Sequence, residues 1–283
     1  AATDAQRRGR LARWIASPDN PLFARVMANR VWHYHFGIGL VDTPNDFGFN
    51  GGRPTHPELL DWLALELIRG RWSLKHLHRT IMCSNTYRQS GALSPRALAV
   101  DAQNRLLWRK TPLRLEAEEV RDAILAVSGE LNSQLGGPGY KDFRTFTFNS
   151  QFYELIDPEG FEYQRRSIYR TWVRSGTNPL LDVLDCPDPS TMAPVRAVTT
   201  TPLQALALLN DGFVLRMSRA FAARLRAEVP HGTAAQIERA YLLAYGRPPA
   251  AEELQLAVPL VEQHGLHAFR RVLFNSNEFL YVD

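Results

Sequence analysis

The chain has 283 residues and a mass of 32.1 kDa, with 45% hydrophobic and 22% charged residues, which is the composition of an ordinary globular protein. No run approaches the ~20 apolar residues that a transmembrane helix needs, so a membrane span in this segment is excluded. The formal charge of +4 does not indicate a nucleic-acid binder, because the basic residues are scattered among 29 acidic ones and form no patch.

Hydrophobic periodicity predicts a mainly α fold of about ten helices. Proline at the first helical position and capping residues such as Ser73 and Thr201 mark several of the helix starts. Asn210-Asp211-Gly212 interrupts one apolar stripe, and Pro259 is expected to kink or split another helix. The predicted helices span 5–16, 21–36, 57–69, 73–87, 101–108, 112–131, 178–185, 201–225, 233–246 and 265–275.

A small β-ribbon is predicted in the middle of the chain, where the composition changes at Leu135. Thr145–Phe148 and Ser167–Arg174 alternate β-branched and aromatic residues with polar ones, which is typical of paired strands. The aromatic and acidic stretch between them, residues 151–164, is suited to a flat or sugar-like ligand; the alternative is a loop packed on itself. We therefore expect three parts, 1–134, 135–198 and 199–283, within one compact domain.

The densest chemistry lies between Asn29 and Trp62. A predicted helix ends near Phe36, a loop over 37–56 follows, and the next helix begins near Pro57. A loop of about twenty residues is long for a connection inside a compact domain, and long ordered loops are usually functional. The sequence therefore predicts a functional site on this loop.

Arg30 lies on the apolar face of the second predicted helix, so its guanidinium needs a partner. Asp42 and Asp46 are the nearest carboxylates in sequence. Two interpretations remain open, a structural ion pair that holds the loop to the helix and a pair that also contacts a ligand.

The histidines of this region do not predict a metal site. His33 and His35 are two residues apart, as are His76 and His78, and this spacing places each pair on opposite sides of a helix. Of these, His78 neighbours an apolar stripe and is predicted to pack there. No metal and no bound cofactor are expected in this segment, and without a C-x-x-C-H motif it attaches no c-type haem.

His56 stands at the start of the third predicted helix, either as the cap before Pro57 or inside a capping box formed by Thr55 and Glu58. The positive end of the helix dipole favours neutral imidazole, which can act as a base. The alternative is a purely structural role.

The catalytic hypothesis assigns His35 or His56 as the base, Asp46 as the group that orients it, and Arg30 or Arg88 as the binder of an anionic group. Arg88 follows the fourth predicted helix and reaches the loop if helices two to four form a bundle. The competing hypothesis is a non-catalytic helical scaffold that docks another domain, in which these polar residues serve as caps and ion pairs.

Several segments, taken in order, resemble one family, the planctomycete-type domain of unknown function catalogued as fifteen-fifty-three and often called the PSD domain. The segments are NPLFARVMANRVWHYHFGIGLVDTPNDFG, HPELLDWLALELI, WSLKHLHRTIMCSNTYRQS, NRLLWRKTPLRLEAEEVRDAILAVSGEL, TTTPLQALALLND, RAYLLAYGRPP and LFNSNEFLYVD.

The resemblance implies a context rather than a mechanism. Such domains form the C-terminal part of large exported proteins with a sister domain and a cytochrome-c-like domain, which would carry any haem. The implied location is extracytoplasmic, and the implied role is carbohydrate processing or redox chemistry. The residues here that match the family's motifs are Asn29, Arg30, His35, Asp46, His56 and Arg88.

Overall fold

The computed structural model describes residues 2–174 and 176–282, and it is mainly α-helical, as predicted. Most helices follow the apolar periodicity and the capping residues of the sequence. The helix predicted over 101–108 is wrong, since the helix of that region lies earlier in the chain and ends at Val100. The α-helices are α1 (Asp4–Ile15), α2 (Phe23–Phe36), α3 (Pro57–Arg69), α4 (Leu74–Met82), α5 (Pro95–Val100), α6 (Ala117–Ser128), α7 (Pro179–Val183), α8 (Pro202–Asn210), α9 (Gly212–Glu228), α10 (Thr233–Tyr245), α11 (Ala251–Phe274) and α12 (Asn277–Leu280).

The chain forms two compact units, one extending to Leu113 and the other spanning Arg114–Val282. Each unit has a hydrophobic core of its own. The three-part division expected from the sequence stays a prediction.

The core of the first unit lies between α2, α3 and α4. The apolar face of α2 supplies Ala28, Val31, Trp32 and Phe36, and the Trp32 and Phe36 rings stack at 4.1 Å. Helix α2 ends at Gly37, whose φ of +77° is the left-handed conformation that glycine adopts without strain. The other buried members of this core are Leu40, Val41, Leu60, Leu63, Leu67, Leu77 and Ile81.

The second unit is built on α6, α9, α10 and α11. Thr201 forms a capping box with Gln204 at the start of α8, and Asp211 caps α9, so the predicted break between these helices is confirmed. The split expected at Pro259 is wrong, because helix α11 continues through Pro259 and loses helical geometry at Gly265 instead. The φ of Gly265 is +78°, a conformation open to glycine because it lacks a Cβ.

A two-stranded antiparallel ribbon lies in the second unit, as the sequence predicts, but its second strand differs. Strand β2 (Phe143–Phe148) pairs with β3 (Ser150–Leu155) across a turn at Asn149. The predicted strand over 167–174 is wrong, since this stretch begins with a 3-10 turn at Ser167–Tyr169. Strand β3 pairs with β2 in place of the predicted strand because it is nearer in sequence, and closing a shorter loop costs less conformational entropy. The remaining strands are β1 (Leu113–Arg114) and β4 (Tyr281–Val282).

No helix among the described residues combines the length and the apolar character that crossing a bilayer requires.

Candidate functional site

Asn29 anchors the start of the loop that the sequence singles out. Its side chain is fully buried, donates from Nδ2 to the carbonyl of Val41 at 2.9 Å, and accepts from the Val41 N–H at 2.8 Å. At the other end of the loop, the Thr55 N–H donates to the carbonyl of Leu40 at 2.9 Å. The loop is therefore closed at its base by hydrogen bonds to the backbone of Leu40 and Val41.

Arg30 does not form the predicted ion pair. Its guanidinium donates to the side-chain oxygen of Asn45. The Asp46 carboxylate accepts instead from the N–H of Gly48 at 2.8 Å, and Asp42 lies 3.9 Å from Arg105. The prediction fails because Asp46 closes a local turn, for which aspartate is well suited.

His56 is the N-cap of α3 with Pro57 at the first helical position, so this alternative is confirmed and the capping box of Thr55 is wrong. The His56 side chain makes no capping bond, and its Nδ1 lies 3.0 Å from Thr55 Oγ1. Arg88 is exposed and donates to Asn85 at 3.3 Å.

The bonds of Asp46, His56 and Arg88 thus run to neighbours a few residues away in sequence. Arg30 and His35 make longer-range bonds, each to a residue outside the predicted set. No hydrogen bond between the described residues joins two members of that set, and their catalytic assignment stays a prediction.

His35 does take part in a cluster that the sequence does not reveal. Its Nε2 lies 2.8 Å from Nδ1 of His78 on α4, and the Tyr87 ring contacts it edge-on at 5.4 Å. Nζ of Lys110 donates to the His35 carbonyl at 2.6 Å. Histidines 43 residues apart carry no common motif, so the packing of α2 on α4 is what joins them.

The electrostatics of this cluster favour the uncharged form of the His35 imidazole. Burial lowers the pKa of His35, and the charges of His78 and Lys110 lower it further. Burial also lowers the pKa of Lys110, whose ammonium lies 4.6 Å from the centre of the Tyr87 ring. The hydrogen bond between the two rings joins α2 to α4. Among the described residues, no group of three or more His, Cys, Asp or Glu side chains is placed to hold a metal ion.

The second unit contains a half-open cavity of about 360 Å³, within the size range of small-molecule sites. Its walls come from α6, α7, α9 and the segments around β2 and β3. The lining residues are Arg121, Tyr140, Asp142, Leu155, Ile156, Asp157, Pro158, Glu159, Gly160, Tyr163, Gln164, Asn178, Pro179, Leu180, Asp211, Phe213, Arg216 and Met217.

Two buried oxygens in this wall lack a hydrogen-bond partner among the described residues, Oη of Tyr140 and Oδ1 of Asp142. The other oxygen of Asp142 accepts from Nε of Arg170 at 2.7 Å and from Asn178 at 3.3 Å. Burial raises the pKa of Tyr140, which keeps its hydroxyl protonated. A buried polar atom without a partner costs about 1–3 kcal/mol, so both oxygens gain by bonding to a ligand or to water.

The two guanidinium groups of the wall are already bonded to protein acceptors. Arg121 donates to the carbonyls of Tyr163 and Arg165 at 2.8 and 3.0 Å, and it stacks on the Tyr140 ring at 5.5 Å. Arg216 binds the Asp157 carboxylate through both terminal nitrogens.

Asp211 adds a third kind of polar group to the wall. As the N-cap of α9 it accepts from the N–H groups of Phe213 and Val214 at 2.9 and 3.4 Å. Burial raises the pKa of its carboxyl, against the lowering effect of these two hydrogen bonds.

The predicted ligand-binding stretch, residues 151–164, does supply one wall of the cavity. Sequence reasoning missed Tyr140 and Asp142, which carry no motif. In the sequence, Asp211 belongs to an Asn-Asp-Gly stretch that predicts a break between helices. That signature does not indicate a cavity. The three side chains come together only through the packing of the second unit.

Comparison with known proteins gives one match. The family model PSD1, described as Protein of unknown function (DUF1553), matches residues 7–261 of the 283-residue chain. No curated protein and no solved structure matches the chain.

Proposed function

The chain belongs to the PSD1 family of proteins of unknown function, and we propose from its geometry that it is a carbohydrate-processing module that binds a saccharide in the cavity of the second unit. The sequence resemblance supports an extracytoplasmic setting beside a sister domain and a cytochrome-c-like domain. The same proposal has a redox form, in which the activity of this module on its ligand is linked to that cytochrome-c-like domain.

The observation that carries the proposal is the pair of unpartnered oxygens of Tyr140 and Asp142 in the wall of a ligand-sized cavity. Sugar hydroxyls both donate and accept, so one ligand can satisfy a tyrosine hydroxyl and a carboxylate oxygen together. Because both oxygens are covered in the unliganded wall, binding requires the surrounding side chains to shift, and the penalty of leaving the oxygens unpartnered favours that shift.

Aromatic rings in the wall supply the apolar part of such a site. Phe213, Tyr140 and Tyr163 line the cavity, and the Tyr140 and Tyr163 rings meet edge-on with centres 6.4 Å apart. Ring faces bury the C–H surface of a sugar, while a few fixed polar groups determine its orientation. For hydrolysis, the cavity holds the carboxyl groups of Asp142 and Asp211, the residue type that glycoside hydrolysis uses in pairs.

A binding screen with the purified chain tests the proposal. Neutral oligosaccharides of several backbones are titrated by calorimetry, and mixtures are then analysed for cleavage products. We expect at least one oligosaccharide to bind, with the affinity weakened in Tyr140→Phe. If none binds at millimolar concentration, the proposal is wrong; if one binds without being cleaved, the module recognises saccharides and does not process them.

A second candidate function, a non-catalytic scaffold, is favoured by the loop over 37–56. The support for it is that polar groups at this loop bond within the fold: Asn29 and Thr55 close its base, and Asp46 and Asn45 bond to nearby groups. Under this reading the first unit docks another domain. Failure of every saccharide to bind, together with capture of a defined partner domain, would select it.

A further inference from the structure

We propose that the cavity of the second unit discriminates by charge, accepting uncharged saccharides and rejecting those that carry carboxylate or sulfate groups. This inference rests on the proposed function, because it names the class of saccharide that the same site takes. The inference depends on which polar groups of the cavity wall still have hydrogen-bonding capacity.

The cations of the wall are already engaged by protein acceptors. Anionic sugars are usually held by a free guanidinium fork that binds both oxygens of the carboxylate or sulfate. Both terminal nitrogens of Arg121 donate to protein oxygens, and both terminal nitrogens of Arg216 bind the Asp157 carboxylate. An acidic ligand would therefore compete with these protein acceptors for the two guanidinium groups.

The anions of the wall, in contrast, have unused accepting capacity. One buried oxygen of Asp142 has no hydrogen-bond partner among the described residues, and Asp157, Glu159 and Asp211 also line the cavity. These four carboxylates exceed the guanidinium groups of Arg121, Arg216 and Arg170, the last of which pairs with Asp142, by one charge. Such a wall attracts hydrogen-bond donors and repels negative charge.

The surroundings of Asp142 reinforce this preference. Its paired oxygen is held by Arg170 and Asn178, and its side chain and that of Tyr140 are each at least nine-tenths buried. The carboxylate is thereby fixed as an acceptor, and the Tyr140 hydroxyl is a group of the same wall that can donate. A neutral sugar hydroxyl complements this combination, whereas a second carboxylate would leave two acceptors facing each other.

Matched ligands test the inference on the unaltered chain. Tetrasaccharides of β-glucan, galactan and mannan are compared with their C6-oxidised counterparts, which differ only in carrying a carboxylate where the neutral sugar has CH₂OH. We expect each neutral ligand that binds to bind at least about tenfold more tightly than its oxidised partner at low salt, and the difference to shrink as salt screens the charges.

Two charge-matched variants locate the effect. In Asp211→Asn the helix cap is kept, since asparagine caps as well as aspartate, but one charge leaves the wall. The ratio of the two dissociation constants should fall by about fivefold, as expected for one partly screened charge. Asp182→Asn makes the same change in net charge at an exposed position of α7 outside the cavity lining and should leave the ratio unchanged.

The outcomes separate the two proposals. If neutral and oxidised ligands bind equally, or if the oxidised ligands bind more tightly, charge discrimination is wrong and saccharide binding stands. If Asp182→Asn lowers the ratio as much as Asp211→Asn, the preference comes from net charge and the assignment to the cavity wall is wrong. Failure of every ligand in both series removes the proposed function itself.

Discussion

Tyr140 has an environment that departs from what stability alone would favour. Its hydroxyl is buried without a hydrogen-bond partner among the described residues, so removing it takes none of their hydrogen bonds. We expect Tyr140→Phe to leave the free energy of unfolding unchanged or raise it by up to ~1 kcal/mol, while weakening saccharide affinity by about three- to tenfold. Urea unfolding and calorimetric titration measure the two effects.

The matched control for this change is Tyr34→Phe, at an exposed tyrosine of the first unit. Tyr34→Phe should alter neither the free energy of unfolding nor the affinity for saccharide. A marked loss of stability in Tyr140→Phe would show that the hydroxyl is satisfied within the fold and would remove its assignment to the ligand.

Arg270 is a second residue whose burial costs free energy. Its guanidinium is fully buried, none of its three nitrogens has a hydrogen-bond partner among the described residues, and burial lowers its pKa to about 9. Because the group is still charged at pH 7, replacement by an apolar side chain of similar length should be favourable. We expect Arg270→Met to raise the free energy of unfolding by about 1–3 kcal/mol.

The adjacent arginine is the control, because its guanidinium bonds to the carbonyl of Leu209. Arg271→Met should lower the free energy of unfolding by about 1 kcal/mol. If Arg270→Met is equally destabilising in chemical denaturation, Arg270 has a partner that its surroundings do not reveal.

At the scale of elements, Asn29 connects α2 to the loop that follows it. Substitution by alanine removes both bonds to Val41 and leaves a buried N–H and carbonyl unpaired. We expect Asn29→Ala to lower the free energy of unfolding by about 2–4 kcal/mol. Asn45→Ala, which removes only an exposed contact with Arg30, should change it by less than about 0.5 kcal/mol.

The His35–His78 hydrogen bond between α2 and α4 makes the first unit sensitive to acid. The folded-state pKa of His35 lies below its unfolded value, so the unfolded chain binds more protons as pH falls below about 7. Stability should therefore decrease from pH 7 to pH 5. His33, whose pKa is also lowered by burial and by Arg30, contributes in the same direction.

His35→Gln should flatten this dependence when unfolding free energies are measured between pH 5 and pH 8. His76→Gln, at an exposed position on the same helix as His78, should leave the slope as it is. A slope that persists unchanged in His35→Gln would mean that other groups cause the loss of stability.

For the whole molecule, the question is which of two regions binds ligand, the sequence-predicted loop or the cavity of the second unit. Hydrogen exchange with and without a saturating neutral oligosaccharide distinguishes them. We expect slower exchange in residues 140–164 and 211–217, which line the cavity, and unchanged exchange in residues 37–56. Protection of the loop instead would restore the original hypothesis of a site built on His35, His56 and Asp46.

What the sequence determined by itself is the local part of this protein. Helix positions follow from apolar spacing over a few turns, and caps such as Thr201 and Asp211 act within three residues of their partners. The hairpin shows where this reasoning ends, because alternation identified β2 correctly but could not choose between two candidate partner strands.

Tertiary structure alone decided which distant side chains meet. The bonds of His35 to His78 and of Asp142 to Arg170 span 43 and 28 residues, and neither pair carries a sequence signature. The sequence predicts that Arg30 pairs with an aspartate, but the geometry of one turn makes Asn45 its hydrogen-bond partner. Chain packing fixes such contacts through the summed burial of many apolar residues, a quantity that no short stretch of sequence contains.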